Sequence, residues 1–159
     1  MQTGRVRQEE ISEVSALMCR NFLEVNIRDY PRAMMEELAG SHTPEKVAEI
    51  AKNGHMYVVR SEEGRILGTG TICMMEGSET DSYIMSVSVL PEYQGKGIGR
   101  RIMEALEQDE LFRSTRRTEL HASITAHQFY EALGYHYMKG KESPNELGLY
   151  DMEKKREEL

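Results

Sequence analysis

A strand that runs into a glycine-rich turn and straight on into a helix constrains this chain more than any other feature. The segment reads Val87-Ser88-Val89-Leu90-Pro91-Glu92-Tyr93-Gln94-Gly95-Lys96-Gly97-Ile98-Gly99-Arg100-Arg101. Such a turn presents consecutive backbone N–H groups at the positive end of a helix dipole, so it can hold a pyrophosphate with few charged side chains. Glycine serves there because a Cβ would block the approach. Spacing excludes two phosphate loops. The dinucleotide pattern G-x-G-x-x-G fails from Gly95, where its third glycine would fall on Arg100, and from Gly97, where it would fall on Ile102. The triphosphate loop G-x-x-x-x-G-K-[ST] fails because Gly95-Lys96 is followed by Gly97 and its leading glycine would be Leu90. What remains is Q-x-x-G-x-G, from Gln94 to Gly99.

The elements around the turn follow from periodicity. Ile11, Val14, Leu17, Met18, Phe22 and Val25 recur at helical spacing, with Ser12 as a start signal and a short strand candidate over 5–7 before it. Residues 32–39 read as a second helix, and Thr43-Pro44-Glu45 places a cap and an N1 proline before a third. A hairpin follows, with strands over 55–60 and 65–75 about the Glu63-Gly64 turn. The strand over 81–90 alternates Tyr83, Met85, Val87 and Val89 on one face with Ile84, Ser86 and Ser88 on the other. Beyond the turn come a helix to about Gln108, a strand over 118–122, a helix over 125–133 stopped by Gly134, and strands over 135–138 and 147–152. Residues 154–159 read as a frayed tail.

Composition limits the function classes. A chain of 159 residues matches the roughly 100–200 residues of one domain, here taken as 1–159. The net charge of −7 argues against a partner bound through its phosphate backbone, so nucleic acid is not expected. The apolar runs are too short for a membrane helix, and the first ten residues lack the pattern of a secretory or transit peptide. Cys19 and Cys73 are read as buried thiols of a reduced, cytoplasmic protein. Residues 1–81 carry −5 of the −7, which mildly favours a cationic small molecule as ligand. His121 and His127 lack a Cys or carboxylate at ligand spacing, so no metal is expected.

Downstream lies Ala126-His127-Gln128-Phe129-Tyr130-Glu131-Ala132-Leu133-Gly134-Tyr135. With this segment and the turn together, the sequence resembles the GNAT superfamily of acyl-CoA-dependent N-acyltransferases. That family carries V-x-P-x-x-[QR]-x-x-G-x-[GA] followed by A-x-x-F-Y-x-x-x-G-[FY]. The resemblance implies an α/β (α+β) fold: a mixed, mostly antiparallel sheet of six or seven strands, splayed in the middle and flanked by helices on both faces. It implies acetyl-CoA as cosubstrate, with pantetheine lying in the splay. Backbone groups of Gly95, Lys96, Gly97, Ile98, Gly99 and Arg100 would surround the pyrophosphate, Lys96, Arg100 and Arg101 would add charge, and Gln94 belongs to the same motif. Val87, Ser88 and Val89 would pair with pantetheine through the main chain, and one N–H there would polarise the thioester carbonyl. Tyr130 would protonate the departing thiolate.

Two positions depart from the family pattern. Where several relatives carry a glutamate base, this chain has Tyr83, which leaves Glu24, Asp81 or a water chain as substitutes beside the acceptor. Where many carry asparagine, it has Ser123, which can still hydrogen-bond the cofactor. The function implied is acetyl transfer to a primary amine of a small molecule or peptide; the alternative is a CoA-binding or sensory module that has lost catalysis. Many relatives are homodimers, and no feature here fixes a stoichiometry.

Overall fold

A computed structural model describes residues 1–158. Its strands are β1 (Gln2–Arg5), β2 (His55–Arg60), β3 (Ile66–Met74), β4 (Asp81–Val89), β5 (Arg117–Ala122), β6 (His136–Tyr137) and β7 (Tyr150–Lys155). They form one sheet in the order β1-β2-β3-β4-β5-β7-β6, antiparallel throughout except between β4 and β5. Helices α1 (Ile11–Glu24), α2 (Arg32–Ser41) and α3 (Pro44–Asn53) precede β2. Helices α4 (Ile98–Gln108) and α5 (Glu110–Ser114) connect β4 to β5, and α6 (His127–Ala132) follows β5. No described helix is long and apolar enough to cross a membrane.

Local chemistry accounts for the element ends. The Thr43 hydroxyl accepts from the Lys46 N–H at 3.2 Å with Pro44 in the first turn, so α3 starts where its cap predicts. Ser12 does not start α1. Its N-cap is Glu10, whose carboxylate accepts the Arg7 N–H at 2.8 Å and a bidentate pair from the Arg60 guanidinium at 2.6 and 2.7 Å. Arg60 is buried, and its charge is tolerated because it is paired with Glu10 and also donates to the Arg5 carbonyl. The first strand ends at Arg5 instead of spanning 5–7, since the Arg7 amide is committed to Glu10. Helix α5, absent from the sequence reading, is capped by Asp109, which accepts from the Leu111 N–H at 2.8 Å.

The faces of β4 differ from simple alternation. Val89 lies opposite Gly68 and Ile84 opposite Ile72, so Ile84 and Val89 share a face, while Tyr83 and Met85 sit opposite Cys73 and Thr71 on the other. The cause is a bulge at Ser86, the one described non-glycine residue with positive φ, +59°. One extra residue inverts every side chain beyond it. Helix α4 covers the Ile84 face: a Cβ at Gly70 would fall 2.6 Å from the Ile102 side chain. Helices α1 and α3 cover the Tyr83 face, where a Cβ on Gly54, just past α3, would meet Thr71 and Cys73. The core fills both sides, with Val14, Leu17 and Val47 on one and Ile98, Ile102 and Leu106 on the other.

The tail expected over 154–159 is not frayed at 154–156. Strand β7 pairs with β5 out to Lys155 opposite Arg117, and the buried Lys154 ammonium donates to the Leu133 carbonyl at 2.8 Å and to Glu107 at 3.2 Å. The Arg156 guanidinium lies 3.6 Å from the Phe112 ring centroid. A basic run that reads as solvated here continues a paired strand, and its Lys154 charge has internal partners. Leu159 lies outside the described residues. Cys19 and Cys73, expected as buried thiols, are free and half-buried.

Candidate active site

The parallel pairing of β4 with β5 runs only from Asp81 opposite Arg117 to Ile84 opposite Leu120. Past the bulge at Ser86 the strands diverge, and a cavity of about 660 Å³ occupies the opening. The Leu90 N–H donates to the Leu67 carbonyl at 2.9 Å, so alternation along the ladder turns the Val87 and Val89 amides away from β3 and toward the cavity. The Val89 carbonyl on that side accepts from the Gln94 side-chain amide at 2.9 Å. Ser88 lines the same opening. An extended ligand with amide groups could add there as a partial strand.

At the end of β4 the chain turns through Gly95 and Gly97, both in the left-handed region at φ +74° and +81°, and enters α4 at Ile98. Among the described residues, none of the six backbone N–H groups from Gly95 to Arg100 donates within the chain. This row stands at the positive end of α4, and Gly95, Gly97, Ile98, Gly99 and Arg100 line the cavity. Gly99 also seats the Phe129 ring, 3.3 Å from where a Cβ would be. Arg100 has no ion-pair partner in the described chain, and a cation at a helix start calls for an anion. The arrangement fits a diphosphate. Lys96 instead rests over the Tyr93 ring at 5.0 Å, and Arg101 lines a separate depression beside Thr3 and Tyr57.

Tyr130 reaches the opposite wall from α6. Its ring is buried edge-on against Phe129 and Tyr135, and its hydroxyl has no hydrogen-bond partner in the described chain. Burial pushes its pKa well above the usual phenol value, so the group stays protonated and its unpartnered O–H is available to donate. Ser123, also on the wall, accepts the Ala126 N–H at 3.2 Å and keeps its own O–H free to donate.

The sequence reading missed a second titratable pair. The Tyr83 hydroxyl lies 3.3 Å from His121 Nδ1, and His121 Nε2 lies 3.0 Å from Glu119 and 3.5 Å from Asp151. Tyr83 and His121 both line the cavity. The hydrogen bond from His121 to Glu119 raises the imidazole pKa, and burial pushes Tyr83 up to about 12. The sequence holds Glu119 and His121 two apart on a strand, which places them on one face. Only the parallel pairing with β4 brings Tyr83 to them.

Glu24 and Asp81 are not at this site. The Glu24 carboxylate is taken by Arg20 at 2.7 Å on the outer surface of α1. Asp81, at the far end of β4, is clamped by Arg116 and Arg117 at 2.8 Å each. The Arg116 guanidinium, with Arg117 and Thr80, holds its carboxyl well below the ordinary carboxylate range, which makes it a poor proton acceptor. No Asp or Glu among the described residues lines the cavity. Among the described residues no cluster of side chains could hold a metal ion.

Residues 26–156 match the family described as the acetyltransferase (GNAT) domain. In sequence, N-alpha-acetyltransferase 40 of Saccharomyces cerevisiae is 30% identical over 122 residues, covering 62% of this chain and 42% of that protein, so the chain spans less than half of this relative's length. In structure, the PaiA N-acetyltransferase of Thermoplasma acidophilum, solved in complex with coenzyme A, superposes with a TM-score of 0.79 over 97% of this chain and 98% of that one, at 13% identity. Aminoglycoside 6′-acetyltransferase type Ii superposes with a TM-score of 0.75 over 98% and 97%, at 19% identity. These two likenesses are of fold, and they agree with a splayed sheet whose glycine turn opens on the cavity. The chain belongs to the GNAT family of acetyltransferases.

Proposed function

We propose that this protein transfers the acetyl group of acetyl-CoA directly to a primary amine within a ternary complex. The observation that carries the reading is the row of six undonated N–H groups from Gly95 to Arg100, opening on the same cavity as Tyr130. The name of the yeast relative and the coenzyme-bound state of the Thermoplasma acidophilum structure agree with it.

Acetyl-CoA, when bound, supplies the activated thioester. The glycine turn and Arg100 hold the pyrophosphate, while Val87, Ser88 and Val89 align the pantetheine arm along the open edge of β4. One N–H of that edge, from Val87 or Val89, donates to the thioester carbonyl oxygen, a contact that strengthens as charge grows there and is commonly worth a few kcal/mol. Tyr130 donates its phenolic proton to the departing sulfur and regains one from the attacking nitrogen, which must lose its second proton to become the amide. An alkylammonium with pKa near 10.4 must shed a proton before it attacks. With no carboxylate on the cavity wall, the amine proton passes to Tyr83 Oη as the Tyr83 proton moves to His121 Nδ1, and the imidazolium is stabilised by Glu119 and Asp151.

A thermal melt with acetyl-CoA, CoA, NAD and ATP, followed by thiol release with a panel of amines, tests this. Acetyl-CoA near a hundredfold over its Kd should add about 2.7 kcal/mol of stability, with no effect of NAD or ATP. Absence of any shift would overturn the reading. A shift with no transfer to any amine would instead establish the CoA-binding module, which the lack of a wall carboxylate also suits.

A further inference from the structure

Beyond the coenzyme groove, the cavity continues between α1, α2 and the Tyr83 face of β4, and its lining there is of one character. Phe22, Val25, Met34 and Leu38 are half-buried side chains of the two helices and their connection, and Met85 faces them from β4. Buried Met18 and Met35 also line the cavity. Unbranched thioether side chains reshape readily around different apolar bodies.

Polar side chains on this wall already have bonds within the chain. The Asn21 amide donates to Asn26 Oδ1 at 3.1 Å, and His42 Nδ1 bonds the Leu38 carbonyl at 2.8 Å. The acidic groups nearby are held off the wall: Asp29 takes the Thr125 hydroxyl, and Glu24 and Glu92 are paired with Arg20. No described Asp or Glu of residues 1–81 lines the cavity. An acceptor with several ammonium groups would bury the surplus charges with no counter-ion, which is costly. A single amine has a place at the Tyr83–His121 corner.

The rim limits size. The Tyr30 hydroxyl donates to the Gly148 carbonyl at 2.7 Å and accepts from the Ile124 N–H at 3.1 Å, tying the loop after α1 to the loops before β7 and α6. Tyr30, Thr125 and Leu149 are cavity residues, so this tie crosses the rim of the apolar end.

We infer that the acceptor is a small primary amine with one cationic group and a compact apolar body, the body against the α1–α2 wall and the amine at Tyr83 and His121. The inference rests on the acetyl-transfer reading and sharpens its acceptor class. The test is thiol release from acetyl-CoA with 2-phenylethylamine and 3-methylbutylamine against spermidine, kanamycin and a short peptide with a free N-terminus. The expected result is a kcat/KM for the first two at least about tenfold above the rest. Met34→Glu and Met34→Gln should lower that value about tenfold while leaving the acetyl-CoA melt shift unchanged. Faster turnover of spermidine, kanamycin or the peptide in the unaltered protein overturns the acceptor class and leaves acetyl transfer standing. Transfer to no amine, or no melt shift with acetyl-CoA, overturns both.

Discussion

The Gln94 side-chain amide donates to the Val89 main-chain carbonyl at 2.9 Å, tying the start of the glycine turn to the last residue of β4. One contact thus sets the turn against the strand edge at Val89, whose own N–H also faces the cavity. Gln94 acts here on the protein main chain, a positioning role that the family motif alone did not specify. Gln94→Ala removes about one neutral hydrogen bond and should weaken acetyl-CoA binding by about three- to tenfold with a Tm change under about 2 °C. Calorimetric titration reads it, and an unchanged Kd would strip Gln94 of this role.

Gly97 and Gly77 make a matched pair, at φ +81° and +76° with open space around both Cβ positions. Alanine at either should cost about 1–2 kcal/mol through backbone strain. Only Gly97→Ala should also lower acetyl-CoA affinity, by more than about tenfold, because only there does a Cβ crowd the N–H row. Equal affinity losses in the two variants would mean the turn does not hold the pyrophosphate.

Tyr130→Phe should lower kcat by about a hundredfold and leave the KM for acetyl-CoA within about twofold, since the hydroxyl is needed only as the thiolate leaves. Burial keeps the phenol protonated, so no alkaline limb below about pH 9 should belong to it. A variant with full turnover for every accepted amine would remove Tyr130 from the chemistry.

His121 faces Tyr83 from β4, Glu119 on its own strand and Asp151 from β7, with Lys141 paired to Asp151 at 3.3 Å. Its pKa is raised from 6.5, chiefly by the hydrogen bond to Glu119. Below that raised value the ring is already protonated and accepts nothing, so kcat/KM should fall with decreasing pH through a midpoint above 6.5. His121→Gln should flatten this limb and lower the plateau about a hundredfold, and Tyr83→Phe should lower the plateau similarly. A wild-type profile that is flat from about pH 5.5 to 8 would exclude the relay.

Asp81 should matter for stability and not for turnover. Its carboxyl is depressed by Arg116 and Arg117, so its contribution is complete above the unfolded value of about 3.9 and is lost as pH falls through the lower folded value. Asp81→Asn should lower the Tm by about 3–8 °C at pH 7, and the gap should narrow below about pH 4. The kcat/KM should stay within about twofold. A large loss of kcat at unchanged Tm would return Asp81 to the list of bases.

Much of the fold was legible because its signals are short-range. Thr43-Pro44 predicts the start of α3, and Glu63-Gly64 with the β-branched residues flanking it predicts the β2–β3 turn and β2 over His55–Arg60. The failures share a cause as well. Ser12 loses to Glu10 as the start of α1 because Arg60, 50 residues away, fixes the Glu10 carboxylate. Lys154 reads as tail until the carbonyl of Leu133 and the carboxylate of Glu107 are brought to it.

The candidate site divides along the same line. Sequence by itself determined the strand, glycine turn and helix that leave six N–H groups undonated, and it placed Tyr130 after them, because spacing of a few residues dictates which backbone groups can be satisfied locally. Tertiary structure decided the rest. The single-residue bulge at Ser86 chose which face of β4 carries Tyr83 and Met85, and a parallel pairing that stops at Ile84 opened the sheet. That pairing set Tyr83 beside His121, 38 residues on. Sheet register and strand divergence are properties of two segments together, so neither segment alone can specify them.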